Sequence, residues 1–262
     1  MKKSKSEYSI QTVVNALRVL EAFEHVDELG VTELSRHLDL HKNNVFRLLA
    51  TLEMKGYIEQ VDEGPYRLGT RCLELGSAYR RAGGNLLGRA APVLDALAHE
   101  TSETVHLAVL RDFEVVHLDA REAAQTVRVG ARLGHRLPAH CTALGKVLVG
   151  CAGEELLRDY DRWLAEQRGL ERRTDATIVD RDKLFEHLQG VGVRRVAVDL
   201  GECEEGLCCA AAPVFEQPGR VVAALSVSAP TLRHDSDSVH GRLGPAVIAA
   251  AQQLSVQLGH SG

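Results

Sequence analysis

At 262 residues the chain is long for one small domain and suits two, or one large α/β unit, at about 100–200 residues per domain. Hydrophobic residues make up 45% and charged residues 26%, ordinary globular usage that excludes collagen-like, low-complexity and disordered classes and leaves enough apolar side chain for a sizeable core. The formal net charge of −5 sets a condition on any nucleic-acid partner: the positive charge that meets phosphate has to be local.

No apolar run approaches the roughly 18 residues of a membrane span, and the Lys-rich stretch Met1 to Ser9 lacks the apolar h-region of a secretory signal. A cytoplasmic protein with no membrane partner is expected. Six cysteines, at 72, 141, 151, 203, 208 and 209, lack the spacing of a secreted disulfide framework and suit a reducing compartment.

Thr12 to Phe23 places Val13, Ala16, Leu17, Leu20 and Phe23 at helical spacing, which predicts an amphipathic helix with that stripe buried. Thr32 suits the N-cap of a short helix through Leu38. Asp39-Leu40-His41 leaves room for a tight turn only. Lys42 to Lys55 repeats Val45, Leu48, Leu49 and Leu52 helically, and Gly56 supplies a C-terminal stop. Tyr57 to Val61 and Tyr66 to Leu68 read as strands around the turn-rich 62–65. Helix, helix, tight turn, helix and hairpin is the order of a winged helix-turn-helix, whose helix after the turn enters the major groove. Residues 71 to 82 read as a further helix ended by Gly83-Gly84-Asn85, where a domain boundary is expected. Another helix follows from Leu86 to His99, with Pro92 as a kink or displaced start.

Beyond Thr104 the period changes to two. A hairpin is predicted from Thr104–Leu110 and Glu114–Asp119, with further strands at Thr126–Val129, Val196–Leu200, Leu207–Phe215 and Val221–Ser228. Helices are expected at Ala143–Cys151, Glu154–Arg168, Asp182–Gln189 and Ser236–Leu258, the last started or kinked at Pro245. Adjacent strands without intervening helices point to a mixed or antiparallel sheet flanked by helices rather than a doubly wound one. The fold class expected is therefore a two-domain α+β protein.

Residues 1–70 hold nine Lys or Arg against eleven Asp or Glu. The charge needed for DNA is concentrated instead in the N-terminal tail (Lys2, Lys3, Lys5) and along His41, Lys42, Asn43, Asn44, Arg47 and Lys55, which meet only Glu53. Asn suits adenine, Arg suits guanine, and Lys suits guanine or phosphate. With Thr32 and the wing residue Arg67 these form the candidate DNA-contacting set. The competing reading is a solvated polar face on a small helical domain.

Val31-Thr-Glu-Leu-Ser-Arg-His-Leu38, followed by Asn44-Val-Phe-Arg-Leu-Leu-Ala-Thr-Leu52 and Gly56-Tyr-Ile, resembles the winged helix of the IclR family of bacterial transcriptional regulators. Leu137-Pro-Ala-His140 with Ala143-Leu-Gly-Lys146, Asp199-x-x-Glu202 followed by Cys209-Ala-Ala-Ala-Pro-Val-Phe215, and Ala223 to Ser228 resemble segments of its C-terminal domain. The resemblance runs through nearly the whole chain in the family's order. It implies a winged helix-turn-helix over 1–70 (helix-turn-helix about 32–55, wing 57–68), a linker and dimerisation helix over 71–84, and a GAF-like α/β effector domain over 85–262. It also implies a homodimer or dimer of dimers on operator DNA, acting as a repressor controlled by a small organic acid, aromatic or sugar-derived, with no enzymatic activity and no cofactor. The family's effector pocket carries over to Val129, Leu137, Ala143, Leu144, Asp199, Leu207, Cys209, Ser226 and Ser228. Asn43 and Asn44 stand where Ser or Thr is usual, Ala210 replaces a larger aliphatic residue, and Glu216 replaces Asp or Asn.

The pocket has its own chemical logic. Ser226 and Ser228 are two apart on an apolar strand, so both hydroxyls face one side and Val227 the other. Amides at a helix start near Ala143 favour an anion. Asp199 opposes one unless it is protonated, bonds a ligand hydroxyl or faces a cation. A structural alternative, small core residues and a strand-end Asp, stands beside this. Cys203, Cys208 and Cys209, with His140 and Cys141, raise a second possibility, a metal- or thiol-responsive sensor or an enzyme built on the C-terminal domain. Against it, Cys208 and Cys209 are neighbours on a strand and point to opposite faces. His106 and His117 read as structural or pocket-lining.

Overall fold

The computed structural model describes residues 8–24, 26–82, 86–131, 133–167 and 169–260. The basic tail at Lys2, Lys3 and Lys5 and the helix breaker Gly83-Gly84-Asn85 lie outside the described residues. The chain divides into two compact units, residues 1–83 and 84–262.

In the first unit, α1 (Gln11–Glu21), α2 (Val31–Leu38) and α3 (Lys42–Met54) precede the antiparallel pair β1 (Ile58–Gln60) and β2 (Tyr66–Leu68), and α4 (Thr70–Ala82) follows. Val19, Phe23, Leu34, Leu38, Val45, Leu48, Leu49, Leu52, Ile58 and Tyr66 make its core. The spacing read along α3 is the buried spacing. In α1 the period is right and the phase differs: Val19 and Phe23 are buried, with Ala16 and Leu20 packed beside them, while Val13 and Leu17 face outward. Helical periodicity admits a second apolar ridge beside the first, and packing on α2 and α3 selects between them.

Thr32 is not the cap of α2. Gly30 is the N-cap, in extended conformation, and its N–H donates to Glu33 Oε2 at 2.8 Å; Thr32 sits inside the first turn. Asp39, left-handed at φ 52°, ends α2. His41 caps α3, its Nδ1 accepting from the Asn43 N–H at 3.3 Å. Gly56 takes φ 75° just beyond α3, a left-handed conformation that a glycine adopts without steric penalty. Leu29 bridges to Tyr66 beside the wing.

The second unit begins with α5 (Leu86–Thr101), which runs through Pro92. Six strands follow: β3 (Thr104–Arg111), β4 (Glu114–Arg121), β5 (Arg136–Pro138), β6 (Ala197–Leu200), β7 (Leu207–Glu216) and β8 (Arg220–Pro230). Their spatial order is β5-β4-β3-β8-β7-β6, with every pairing antiparallel. The helices between β5 and β6 are α6 (Ala143–Gly150), α7 (Glu154–Glu166) and α8 (Arg181–Arg194); the chain closes with a turn α9 (Ser236–Ser238), a π-helical turn at Val239–Leu243 and α10 (Gly244–Gln257). Pro245 thus starts the last helix rather than kinking it.

Alternation sorts the sheet into two faces. Val105, Leu107, Cys208, Ala210, Ala212, Leu225 and Val227 pack with α5 and α10, whereas Ala108, Val115, Ala211 and Ala224 pack with α6. One correction concerns Thr126–Val129, expected as a strand. It is irregular, and the strand beside β4 is β5. β-branched residues favour a strand only where a neighbouring backbone is available, and here side chains hold the segment instead. Thr104 Oγ1 donates to the Val129 carbonyl at 2.6 Å, Arg233 Nη1 donates to the Val127 carbonyl at 2.7 Å, and the Ala131 N–H donates to Glu122 Oε1 at 2.9 Å. Arg233 is itself clamped by two 2.7 Å bonds to the buried Glu103 carboxylate.

Candidate ligand cavity and nucleic-acid interface

All nine residues assigned to the effector pocket border one cavity in the second unit. Val129 comes from the irregular segment, Leu137 from β5, and Ala143 and Leu144 from the first turn of α6. Asp199 on β6, Leu207 and Cys209 on β7, and Ser226 and Ser228 on β8 complete the set. The cavity measures about 50 Å³, on a scale where one water needs roughly 10–15 Å³. His106, His117, Thr142, Cys203 and Glu204 also line it. Of these, Thr142 and Glu204 were not identified in the sequence.

α6 starts at the cavity because Thr142 caps it: its hydroxyl accepts from the Gly145 N–H at 3.1 Å and donates to the Pro138 carbonyl at 3.1 Å. Ala143 and Leu144, in the first turn of α6, line the cavity, which lies at the positive end of the helix dipole. Gly145 brings this turn against the preceding segment; a Cβ there would lie 2.3 Å from Ala139 Cα. The Ser226 hydroxyl is 1% exposed and makes no hydrogen bond. Ser228 is engaged, its Oγ lying 3.3 Å from the Cys209 thiol.

Behind the cavity, Lys146 is fully buried and its Nζ donates to Glu202 Oε1 at 2.5 Å, with Glu202 Oε2 left without a partner. The pairing joins residues from α6 and from the connection after β6. Asp199 Oδ1 accepts from the Glu202 N–H at 2.6 Å. Burial pushes the Asp199 carboxyl up to about 6, against the opposing pull of that N–H and of the Lys146 charge. Asp199 therefore carries a proton part of the time near neutrality, which lessens its conflict with an anionic ligand.

The cysteines separate as strand alternation requires: Cys208 packs on the α5 and α10 face and Cys209 lines the cavity. Contact with Cys203 and burial push the Cys141 thiol up; burial pushes Cys209 up as well, and Cys151 and Cys208 up to about 11. Thiols held protonated are poor nucleophiles, which weighs against thiol-responsive chemistry. Among the described residues no three His, Cys, Asp or Glu side chains group closely enough to hold a metal ion.

In the first unit, Thr32, His41, Lys42, Asn43, Asn44, Arg47 and Lys55 are all exposed. His41, Lys42, Asn43, Asn44 and Arg47 share the first turns of α3 and its cap, while Lys55 lies just past its far end. Thr32 stands on α2. Because Nδ1 of His41 accepts the capping bond, its neutral ring carries the proton on Nε2. Arg67 is tied to Glu59 at 2.6 Å across the wing; as both ends are exposed, the pair is weak and leaves the guanidinium available to phosphate. The wing tip carries Asp62 and Glu63, which repel a phosphate backbone. Phe46 on α3 is 57% exposed and is absent from the DNA-contacting set read from the sequence; an exposed aromatic in this position suits a thymine methyl.

The comparisons with known proteins cover both units. Residues 12–62 match the IclR helix-turn-helix domain and residues 82–256 the C-terminal domain of the bacterial transcriptional regulator IclR. The chain is 33% identical over 255 residues to the transcriptional regulator KdgR of Escherichia coli, covering 96% of this chain and 94% of that protein. It is 32% identical over 254 residues to the transcriptional repressor IclR of the same organism, covering 95% and 90%. The crystal structure of an IclR transcriptional regulator from Alicyclobacillus acidocaldarius aligns over 96% of this chain and 100% of its own, with a TM-score of 0.83 at 28% identity. A helix-turn-helix domain and an α/β unit that holds a cavity are thus the two parts of a transcriptional regulator, and the chain belongs to the IclR family.

Proposed function

We propose that this regulator is a repressor that binds operator DNA through α3 and releases or holds it according to a small organic acid bound in the cavity of the second unit. The observation that carries the effector half of the reading is Ser226. A buried hydroxyl without a partner costs about 1–3 kcal/mol, and a ligand oxygen beside the α6 amides relieves that cost while its carboxylate meets the helix dipole. The repressor sign follows the E. coli relative named as a repressor.

The working division is a DNA-binding domain over 1–70, a linker helix over 71–84 and an effector domain over 85–262. α4 would pair two copies into a homodimer, or contribute to a dimer of dimers; Leu73, Leu75 and Tyr79 on it are exposed. The setting is cytoplasmic. Control requires the acid to bind the DNA-competent and DNA-incompetent dimers with different affinity.

The test is a gel-shift with intergenic DNA flanking the regulator's own coding sequence, with and without pools of organic acids. Sequence-specific retardation that an acid alters is expected. Arg47→Ala should weaken operator binding about tenfold or more while acid binding stays unchanged. Absence of any specific shift under all conditions would sink the reading, and an unchanged affinity for Arg47→Ala would remove α3 from it.

A further inference from the structure

The cavity-facing side chains run across the sheet in strand order: His117 on β4, His106 on β3, Ser226 on β8, Cys209 on β7 and Asp199 on β6. His106 is directly opposite Ser226, and Cys209 is opposite Asp199. With strands about 4.8 Å apart, His106 and Asp199 are three spacings, or about 14 Å, apart along the sheet. The cavity therefore has unlike ends. Its two carboxylates, Asp199 on β6 and Glu204 in the β6–β7 connection, belong to one end; its two imidazoles belong to the other.

The histidine end is built. His106 and His117 are both buried, and their rings meet edge to face with centroids 5.1 Å apart. His117 Nδ1 lies 3.4 Å from the His135 carbonyl, and since a carbonyl only accepts, Nδ1 is the donor and the ring's orientation is fixed. Nε2 of His117 then accepts when the ring is neutral and donates when it is protonated. The unbonded Ser226 hydroxyl lies one strand over from His106.

We infer that His106 and His117 form a second acidic-group subsite, so that the effector class is a short-chain dicarboxylic acid. One carboxylate takes the α6 N-terminus and Ser226, and the other takes the imidazole pair, away from Asp199 and Glu204. Imidazole is a side chain suited to this position because its protonated form offers a second carboxylate both a hydrogen-bond donor and a countercharge; Glu122, whose carboxyl the Ala131 N–H and the His106 charge help hold below its usual range, is the acid already near this end. Ser226 on β8 and His117 on β4 are two strand spacings, about 10 Å, apart across the sheet, a span that a short chain with a carboxylate at each end bridges. The inference rests on the organic-acid reading of the cavity proposed above.

Length-matched acids that differ only in the second carboxylate separate the possibilities: malonate against propionate, succinate against butyrate, glutarate against pentanoate. Each is titrated calorimetrically into the full-length protein and into His117→Phe. At least one dicarboxylate should bind ten times or more tighter than its partner. His117→Phe should reduce that affinity at least tenfold while changing the monocarboxylate less than threefold. Monocarboxylates that bind as well as or better than their partners would overturn the inference and leave the organic-acid reading standing. No binding by any of the six acids would overturn the inference, whereas the organic-acid reading fails only if no acid in the pools alters the gel-shift. The comparison within the unsubstituted protein decides the matter even where the variant folds poorly.

Discussion

Lys146→Met tests the buried pair behind the cavity. The ammonium is fully buried and its carboxylate partner nearly so, and Glu202 already sits above the usual carboxylate range because burial outweighs the Lys146 charge. Removing one partner of a buried pair strands the other, at about 3–5 kcal/mol. At roughly 2–4 °C per kcal/mol for a domain of 150–250 residues, the second unit should lose about 6–20 °C in Tm at pH 7.5. The chain has one tryptophan, Trp163 on α7, stacked on Tyr160 at 5.8 Å. Its fluorescence follows the second unit alone, so the composite transition of a two-domain chain is avoided. The deficit also has a pH signature. Without Lys146 the Glu202 pKa rises further in the folded state; for an acid whose folded pKa exceeds its unfolded value, stability is highest below the unfolded pKa and is lost as pH rises through the folded one. The deficit should therefore shrink on acidification from pH 7.5 toward pH 5, and Lys146→Met with Glu202→Leu should recover most of it. A loss under about 1 kcal/mol, far below the cost of a stranded charge, or one equal at both pH values, would refute the reasoning.

Three further substitutions probe the cavity. Asp199 is raised from 3.8 to about 6, so by the same sign its contribution is unfavourable above pH 6 by up to about 3 kcal/mol; Asp199→Asn, which keeps the acceptor for the Glu202 N–H, should raise Tm at pH 7.5, and a lowered Tm contradicts this. Gly145→Ala puts a methyl 2.3 Å from Ala139 Cα and 2.4 Å from its carbonyl oxygen; overpacking of this kind costs about 1–3 kcal/mol or more, and an unchanged Tm would show that α6 does not seat there. Ser226→Ala removes a hydroxyl without a partner, so the ligand-free protein should keep or gain stability while acid affinity falls by about 1–3 kcal/mol; a destabilised ligand-free protein would mean that the hydroxyl is bonded without ligand.

What the sequence made legible follows from the range of the interactions involved. α3 was readable because Val45, Leu48, Leu49 and Leu52 bury themselves on one local stripe, and the facing of Ser226 and Ser228 followed from a period of two. α1 was misphased because Val13 and Leu17 fit the same period as the buried Val19 and Phe23, and only the neighbouring helices distinguish them. Thr126–Val129 carries strand-forming residues, but β5 takes the edge that would have completed it. The cavity's nine residues come from six separate segments, which no periodicity brings together; family resemblance supplied them. Lys146 and Glu202 are 56 residues apart, and the signal available was a lone cation in the apolar run Ala143 to Val149, which demanded a buried partner without naming it.

The cavity's walls are unequal in how they are held. β7 and β8 are fixed by ladder bonds along ten register pairs, so opening that side means disrupting the sheet. The segment that brings Val129 to the cavity is tethered by Thr104, Glu122 and Arg233, and the Arg233 tether passes through Glu103, at the junction of α5 and β3. Subglobal opening concentrates where few bonds must break. Amide exchange should therefore be fastest in 122–131, and ligand should enter and leave through this side. Residence time then depends on the strength of the Glu103–Arg233 clamp, which touches no ligand and leaves the equilibrium contacts of the cavity unchanged: a separate control over how long a signal lasts after the effector pool has fallen.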